Sequence, residues 1–168
     1  MPTLRSCQHI DNPNRFTVLP EKQISRVQAA YGLIQNTMSQ ILMIRLIDSG
    51  LFFFPGGKRE PEEDLEQALI REVYEETQQI VIQSTVQFEL RQESYLFHPQ
   101  KNLGFFCEAN YYSCQIQDIG NPLASSHEGE ALWVNQQEIQ NQLSVNADFI
   151  LLKWQLNLFK RRYNAGQK

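Results

Sequence analysis

Residues 57–79 read GKREPEEDLEQALIREVYEETQQ, and this stretch decides how the rest of the chain is interpreted. It contains three acids, Glu72, Glu75 and Glu76, at the spacing i, i+3 and i+4. On a helix of about 3.6 residues per turn these side chains project from one face, within reach of a single cation. Clustered carboxylates suit a hard, oxygen-seeking ion such as Mg²⁺.

An acidic run on a helix can also be a solvated face, and the apolar periodicity bears on this alternative. Leu65, Leu69, Ile70 and Val73 form one stripe that is expected to face the core. The three glutamates fall beside this stripe instead of opposite it, so we expect them at the rim of the buried face. Exposed like-charge pairs four residues apart cost only about 0.2 to 0.5 kcal/mol. Repulsion alone therefore does not exclude the solvated face.

The residues upstream predict a strand that ends in a glycine turn. Residues 51–54 are apolar and long enough for a buried strand, and the Pro-Gly-Gly sequence at 55–57 ends it. Glycine lets the backbone approach a ligand closely. The turn would bring the side chains of Lys58 and Arg59 near the glutamates, and a phosphate chain bridged by Mg²⁺ fits such a space.

Seven positions of the stretch resemble the Nudix box, which reads Gly, five residues, Glu, seven residues, Arg-Glu, an aliphatic residue, any residue and Glu-Glu. The matching residues are Gly57, Glu63, Arg71, Glu72, Val73, Glu75 and Glu76. The pattern is long and its fixed positions are chemically unusual, so chance agreement is a poor explanation. By its motif the resemblance covers about a seventh of the chain.

The two ends of the acidic helix differ in how well they fit this pattern. Asp64 is a candidate N-cap in a capping-box relation with Gln67, which starts the helix near Leu65. The family pattern has Gly after Thr77, whereas this chain has Gln78. A non-glycine residue in the left-handed conformation costs about 1 to 2 kcal/mol. We therefore expect the helix to end differently, or one residue later.

The resemblance implies a fold, an activity and a set of site residues. The fold is α/β, a mixed β-sheet between helices in an α/β/α sandwich, and the order of predicted elements agrees with it. The activity is Mg²⁺-dependent hydrolysis of the diphosphate linkage in a nucleoside diphosphate derivative, with Mn²⁺ as an alternative ion. The expected metal ligands are the carbonyl of Gly56 and the carboxylates of Glu72, Glu75 and Glu76. Substrate contacts are expected from Gly57, Lys58 and Arg59.

Arg71 and an acid from a loop have expected roles in catalysis. Arg71 is expected to hold a glutamate in position by a charge-assisted hydrogen bond, and its alternative is a surface ion pair. Many Nudix enzymes add an acid from a loop across the site, and residues 125–130 offer Glu128 first and Glu130 second as base or extra ligand. A loop acid that is only solvated is the alternative here.

The substrate is less well determined by the sequence. A nucleobase needs an aromatic or apolar wall. Five aromatic residues could form this wall, although each of them could instead pack in the core. The candidates are Phe53, Tyr95, Phe97, Phe105 and Phe106. Tyr95 lies near the place where a tyrosine marks some dinucleoside polyphosphate hydrolases, while the marks of ADP-ribose and coenzyme A hydrolases are absent. Nucleoside triphosphates or dinucleoside polyphosphates are therefore favoured. A catalytically silent nucleotide-sensing module and an isomerase on the same scaffold remain as alternatives.

Composition bounds the remaining possibilities. The 168 residues are expected to form one Nudix domain, with residues 1–21 as an extended arm or a short edge strand. Three scattered cysteines and the absence of an apolar leader or membrane span favour the cytoplasm. The net charge of −4 argues against a general nucleic-acid surface, because only residues 160–162 form a basic run. Cys7 and His9 lack a second pair that would complete a metal site.

The rest of the chain predicts strands followed by one long helix. The expected strands cover residues 26–35, 40–47, 80–82, 86–91, 94–97, 103–116 and 131–134, and residues 98–102 are expected to form a hairpin loop. Apolar residues at helical spacing predict a helix over residues 146–162, with Asn146 or Asp148 as its cap.

Overall fold

Nine strands in two sheets carry the fold in the computed structural model, which describes residues 1–47, 49–117, 129–139 and 147–166. The larger sheet has six strands in the order β2-β1-β7-β8-β3-β6, and the smaller has the order β5-β4-β9. The strands are β1 (Leu4–His9), β2 (Phe16–Pro20), β3 (Ser25–Leu33), β4 (Ile41–Leu46), β5 (Phe52–Phe53), β6 (Gly56–Lys58), β7 (Gln87–His98), β8 (Leu103–Ser113) and β9 (Gly129–Val134).

The larger sheet is mixed. β3 pairs in parallel with β8, and β1 pairs in parallel with β7, whereas the other neighbours are antiparallel. The helices are α1 (Leu65–Thr77), the short α2 (Gln136–Ile139) and α3 (Ala147–Gly166). None of the helices in the described part of the chain is long and apolar enough to cross a lipid bilayer.

Helix α1 covers one face of the larger sheet. Its buried residues Ala68, Leu69 and Val73 pack with Ala30 of β3 and with Ile34, which directly follows this strand. The other face packs against the smaller sheet and α3, in a cluster that includes Leu33, Met43, Phe54, Tyr111 and Trp154. Helices on both sides of a mixed sheet confirm the predicted α/β/α arrangement.

The start of α1 agrees with its sequence signal, and its end does not. The backbone N–H of Gln67 donates to Oδ1 of Asp64 at 2.8 Å, and the N–H of Asp64 donates to Oε1 of Gln67 at 2.9 Å. The helix ends at Thr77, and Gln78 takes the left-handed conformation with φ 59° and ψ 20°. The expectation of a different or later end is therefore wrong. The side chain of Gln78 donates to the carbonyl of Tyr74 at 3.2 Å, which offsets part of the strain.

Several strands differ from the predicted bounds. The predicted strand at 51–54 shortens to Phe52–Phe53, and residues 80–82 contribute only an isolated bridge between Val81 and Ile116. The two strands predicted at 86–91 and 94–97 are one strand, β7, because Gln92 and Glu93 continue the antiparallel pairing with β8, opposite Ala109 and Glu108. The long helix extends four residues further than predicted, and Asn146 lies outside the described residues.

The first 21 residues join the larger sheet. β1 and β2 form an antiparallel pair, and β1 adds to β7 through Gln8 opposite Leu96 and His9 opposite Phe97. Cys7 and His9 are buried at 0% and 3% exposure, so this segment contributes to the core. All three cysteines are buried and unpaired.

Candidate active site

The glycine turn and helix α1 meet through direct contacts. β6 pairs with β3 so that Gly56 lies opposite Tyr31. The N–H of Gly56 donates to Oε2 of Glu76 at 2.9 Å, although the two residues are twenty positions apart. A Cβ added at Gly57 would lie 2.7 Å from Cδ of Glu72. The carboxylates of Glu72 and Glu76 therefore both lie against the turn.

Gly56 has a conformation that only glycine adopts without strain. Its φ is +148°, and an added Cβ would lie 2.1 Å from the carbonyl oxygen of Ala30. The sequence turn signal thus reflects two separate requirements. Gly56 lets the backbone bend tightly against β3, whereas Gly57 leaves room for a carboxylate.

Arg71 connects the turn to the acids of the helix. Its Nε and Nη2 donate to the two oxygens of Glu63 at 3.0 and 2.6 Å. Its Nη1 donates to Glu72 at 3.0 Å and to Glu75 at 3.3 Å, and Nη2 also donates to the carbonyl of Lys58 at 3.1 Å. A guanidinium with this many acceptors has a fixed orientation, so the carboxylates that it contacts are oriented too.

The electrostatics of these acids differ sharply. The bidentate contact with Arg71, together with the N–H of Glu60, lowers the pKa of Glu63 to about 2. Burial raises the pKa of Glu72, Arg71 opposes this effect, and the neighbouring charges of Glu75 and Glu63 add to it. Glu63 is thus a stable anion, whereas the charge on Glu72 is only partly compensated by Arg71.

The remaining residues of the predicted set are less enclosed. The side chain of Glu75 is 56% exposed, and Lys58 is exposed. Arg59 is engaged by the protein itself, because Nε donates to Gln28 at 3.0 Å and Nη1 donates to the carbonyl of Glu63 at 2.9 Å. These contacts stiffen the loop between β6 and α1, and they occupy donors that were predicted to meet the substrate.

A cavity lies on the face of the larger sheet that is opposite α1. Its lining includes Ile10, Tyr31, Phe54, Gln92, Ser94 and Tyr111. The rings of Tyr31 and Tyr111 stack with centroids 5.2 Å apart and planes 21° apart. Burial is the main cause that raises the pKa of Tyr31, and the charges of Glu76 and Glu72 contribute to the shift. Tyr31 lines the cavity, and its strand partner Gly56 donates to the carboxylate of Glu76, so Tyr31 connects the cavity to the acids.

Only one of the predicted aromatic wall residues lines this cavity. Phe53 is among the lining residues, whereas Tyr95 points to the other face of β7 from Ser94 and Leu96. The ring of Tyr95 lies 4.9 Å from that of Phe106, and Arg5 lies 5.1 Å from the Tyr95 ring. The contribution of Tyr31 was missed because its partner Gly56 is fixed by long-range strand register, which the local sequence does not reveal.

Of the two predicted loop acids, only Glu130 belongs to the described residues. Glu128 lies outside the described residues. Glu130 is on β9 and forms an ion pair with Arg45 at 2.5 Å, and both side chains are about half exposed, at 48% and 46%.

The donor chemistry of the turn and helix fits a hard divalent cation. Carboxylate oxygens are the preferred ligands of Mg²⁺, and Glu72 and Glu76 supply them next to the turn. Burial raises the pKa of Glu72 because it disfavours the charged carboxylate. A bound cation would offset the cost of burying that charge. Within the described residues no three His, Cys, Asp or Glu side chains are already arranged as a metal site.

Comparisons with known proteins show the family to which the chain belongs. A model of the NUDIX domain matches residues 25–155, and the chain belongs to this family. It is 40% identical over 50 residues to a Bacillus subtilis protein named "Putative 8-oxo-dGTP diphosphatase". That match covers 30% of this chain and about a third, 34%, of the relative.

Solved structures show the same fold at low sequence identity. The MutT NUDIX hydrolase from Burkholderia pseudomallei has a TM-score of 0.61 at 18% identity, over 77% of this chain and 98% of the other. The ORF135 protein of E. coli has a TM-score of 0.56 at 22% identity, over 86% and 98% of the two chains. These likenesses establish the architecture of the chain.

Proposed function

We propose that the chain is a Mg²⁺-dependent pyrophosphohydrolase that cleaves the diphosphate linkage of a nucleoside diphosphate derivative, with Mn²⁺ as an alternative ion. One observation carries the proposal. The carboxylates of Glu72 and Glu76 lie against the Gly56–Gly57 turn, where backbone can approach a phosphate chain and no Cβ intervenes. Family membership supports phosphoanhydride hydrolysis as the reaction class.

The roles of the residues follow from their contacts. Glu72, Glu75 and Glu76 would hold the ion, with the carbonyl of Gly56 as a further ligand. When bound, the ion supplies charge neutralisation of the bridging phosphate oxygens and a more acidic water. Arg71 is a positioning residue, because its guanidinium holds Glu72 and Glu75.

Four other residues complete the proposed machinery. Glu63 anchors Arg71, and its low pKa keeps this anchor charged at neutral pH. Glu128 is proposed as the base that takes a proton from the attacking water. Lys58 is proposed as a phosphate contact, since its exposed side chain follows directly after the turn. Arg59 contributes by holding the loop.

The substrate would span two parts of the site. Its phosphates would lie at the glutamates, and its ring would enter the cavity beyond Tyr31, where aromatic and aliphatic side chains suit an uncharged heterocycle. Nucleoside triphosphates are favoured, and the name of the B. subtilis relative supports this class. Dinucleoside polyphosphates are the second choice, because the ring contacts of Tyr95 lie on the other face of the sheet. The buried unpaired thiols are compatible with a cytoplasmic location.

The proposal is tested with purified protein, Mg²⁺ and a panel of nucleoside triphosphates, dinucleoside polyphosphates, nucleotide sugars and ADP-ribose. Phosphate is measured after a coupling pyrophosphatase or phosphatase has been added. Glu76→Gln is expected to lower kcat by about 10² to 10⁴-fold. Glu66→Gln is the matched control, since this residue is an exposed glutamate on the same helix. Nucleotide binding without turnover across the panel would contradict the hydrolase and favour a sensing module.

A further inference from the structure

The N-terminal hairpin, which we define as residues 4–20, contributes to the cavity although it lies outside the family match. That match begins at residue 25. Ile10, in the connection between β1 and β2, is one of the residues that line the cavity. The cavity therefore has a wall residue from a segment that the family domain does not include.

Backbone contacts fix the position of Ile10. Its N–H donates to the carbonyl of Phe97 at 3.1 Å, directly after the parallel pairing of His9 with Phe97. His9 is 3% exposed, and its Nε2 lies 2.8 Å from the hydroxyl of Thr17, which ties the two strands of the hairpin together. The hairpin is thus bonded both internally and to β7, and the backbone of Ile10 is itself hydrogen-bonded to β7.

The hairpin is also packed against β8. An added Cβ at Gly104 would lie 2.4 Å from Cδ1 of Leu19 and 3.8 Å from Sγ of Cys7. Leu19 therefore fills the space that a side chain at position 104 would need. This packing anchors the hairpin on a strand that itself supplies cavity residues, among them Cys107 and Ala109.

The cavity is small and mostly apolar, and the amide of Gln92 is one of the polar groups in its lining. Its free space is about 70 Å³, small beside the several hundred Å³ of pockets that enclose whole ligands. It suits part of a ring system, and the phosphates would remain outside it. Among the described residues the side-chain amide of Gln92 has no hydrogen-bond partner, so its donor and acceptor are open to a ring.

We propose that Ile10 is a specificity-determining residue that limits the size of the ring admitted to the cavity. The proposal rests on the proposed function, because it takes the ring to be the base of a nucleotide. The aliphatic side chain of Ile10 forms part of the wall against which a ring in the cavity would lie. A smaller residue at position 10 admits larger rings, and a larger residue excludes them.

The test compares a purine and a pyrimidine nucleoside triphosphate with the same sugar. Ile10→Ala is expected to raise the purine-to-pyrimidine ratio of kcat/KM by about tenfold or more, since a single methylene in a pocket is worth about 10 to 200-fold. Ile10→Trp is expected to lower the ratio, and Ile10→Val to raise it by a smaller factor. Val18→Ala, an exposed aliphatic truncation in the same hairpin, should leave the ratio unchanged.

A second measurement separates this proposal from the hydrolase. Guanosine and cytidine lack phosphates, so their binding does not require the glutamates, and it is followed by ligand-observed NMR for wild type and Ile10→Ala. A shift in relative affinity towards guanosine supports the role of Ile10 even if no nucleotide is hydrolysed. Ratios within twofold of wild type in folded Ile10→Ala and Ile10→Val, in both assays, would overturn it.

Discussion

The N–H of Gly56 donates to Oε2 of Glu76, and this bond joins the end of the glycine turn to the last turn of helix α1. The next residue, Gly57, faces the carboxylate of Glu72. Two neighbouring glycines thus set the positions of two acids one helical turn apart. The turn and the helix act as one structural unit, so a change in either is expected to affect both.

The two glycines are predicted to respond differently to alanine. In Gly57→Ala the new Cβ meets the end of a flexible glutamate, so the fold should persist while kcat falls more than about tenfold. In Gly56→Ala the Cβ meets the Ala30 carbonyl at φ +148°, which should cost more than about 2 kcal/mol of unfolding free energy. Circular dichroism melts and hydrolysis assays check both. Full turnover by Gly57→Ala would argue against a working carboxylate at this turn.

An ion pair between a buried carboxylate and a partly exposed arginine is predicted to hold α3 on the sheet. Arg161 donates to both oxygens of Glu89 at 2.7 and 3.0 Å, and the Glu89 side chain has 0% exposure. Arg161→Met keeps the aliphatic stem but leaves this carboxylate without its main partner, so urea unfolding should show a loss of about 3 kcal/mol. The exposed neighbour offers a control, Arg162→Met, expected within about 0.5 kcal/mol of wild type. Equal stabilities for the two variants would refute the role of the pair.

The same pair predicts an acid-sensitive component of stability. Burial raises the pKa of Glu89, but hydrogen bonds from Arg161, Ser113 and Asn157 outweigh it and leave the pKa below its ordinary value. The contribution of the Glu89 carboxylate to the free energy of unfolding is therefore present above the unfolded-state pKa of about 4.3. It is lost as the pH falls through the lower folded-state pKa. Below about pH 4.3, unfolding free energy should fall more steeply in wild type than in Glu89→Gln. Parallel curves would show that Glu89 does not link folding to protons.

The left-handed residue after α1 offers a stabilising substitution. Gln78 has φ 59°, and glycine adopts this conformation without the Cβ penalty. Gln78→Gly should therefore raise the free energy of unfolding by about 1 kcal/mol. Loss of the weak hydrogen bond from the Gln78 side chain to the carbonyl of Tyr74 reduces this gain. Gln78→Ala is the control, since it loses the bond and keeps the Cβ, and it should be no more stable than wild type. A destabilised glycine variant would mean that the side-chain bond outweighs the strain.

Local signals predicted the start of α1 and failed at its end. The Asp64 capping box involves residues three positions apart, so the sequence contains all of its chemistry. The conformation of Gln78 depends on where the following chain must go, and tertiary packing overrides the preference of a single residue. The continuity of β7 is similar, because the polar residues Gln92 and Glu93 divide the sequence pattern into two strands, whereas pairing with β8 runs through both of them.

The residues of the site also divide into those that local sequence predicted and those that it missed. The acids of α1 and the turn are close in sequence, and their juxtaposition was predicted. Tyr31 and Tyr111 were missed because their stacking depends on the parallel pairing of β3 with β8, eighty residues apart along the chain. Glu89 and Arg161 are 72 residues apart, and the sequence around either residue does not indicate that the other is its partner. Such pairs depend on topology, which single-sequence patterns do not contain.

The parallel pairing of β1 with β7 has a consequence for synthesis on the ribosome. Leu4–His9 is made before its partner Gln87–His98, which is completed some ninety residues later. During that interval the hairpin would have only itself for support, and an isolated two-stranded unit is at best marginally stable in water. Ile10 therefore reaches its final place only after most of the domain has emerged. Contacts this distant along the chain also slow folding.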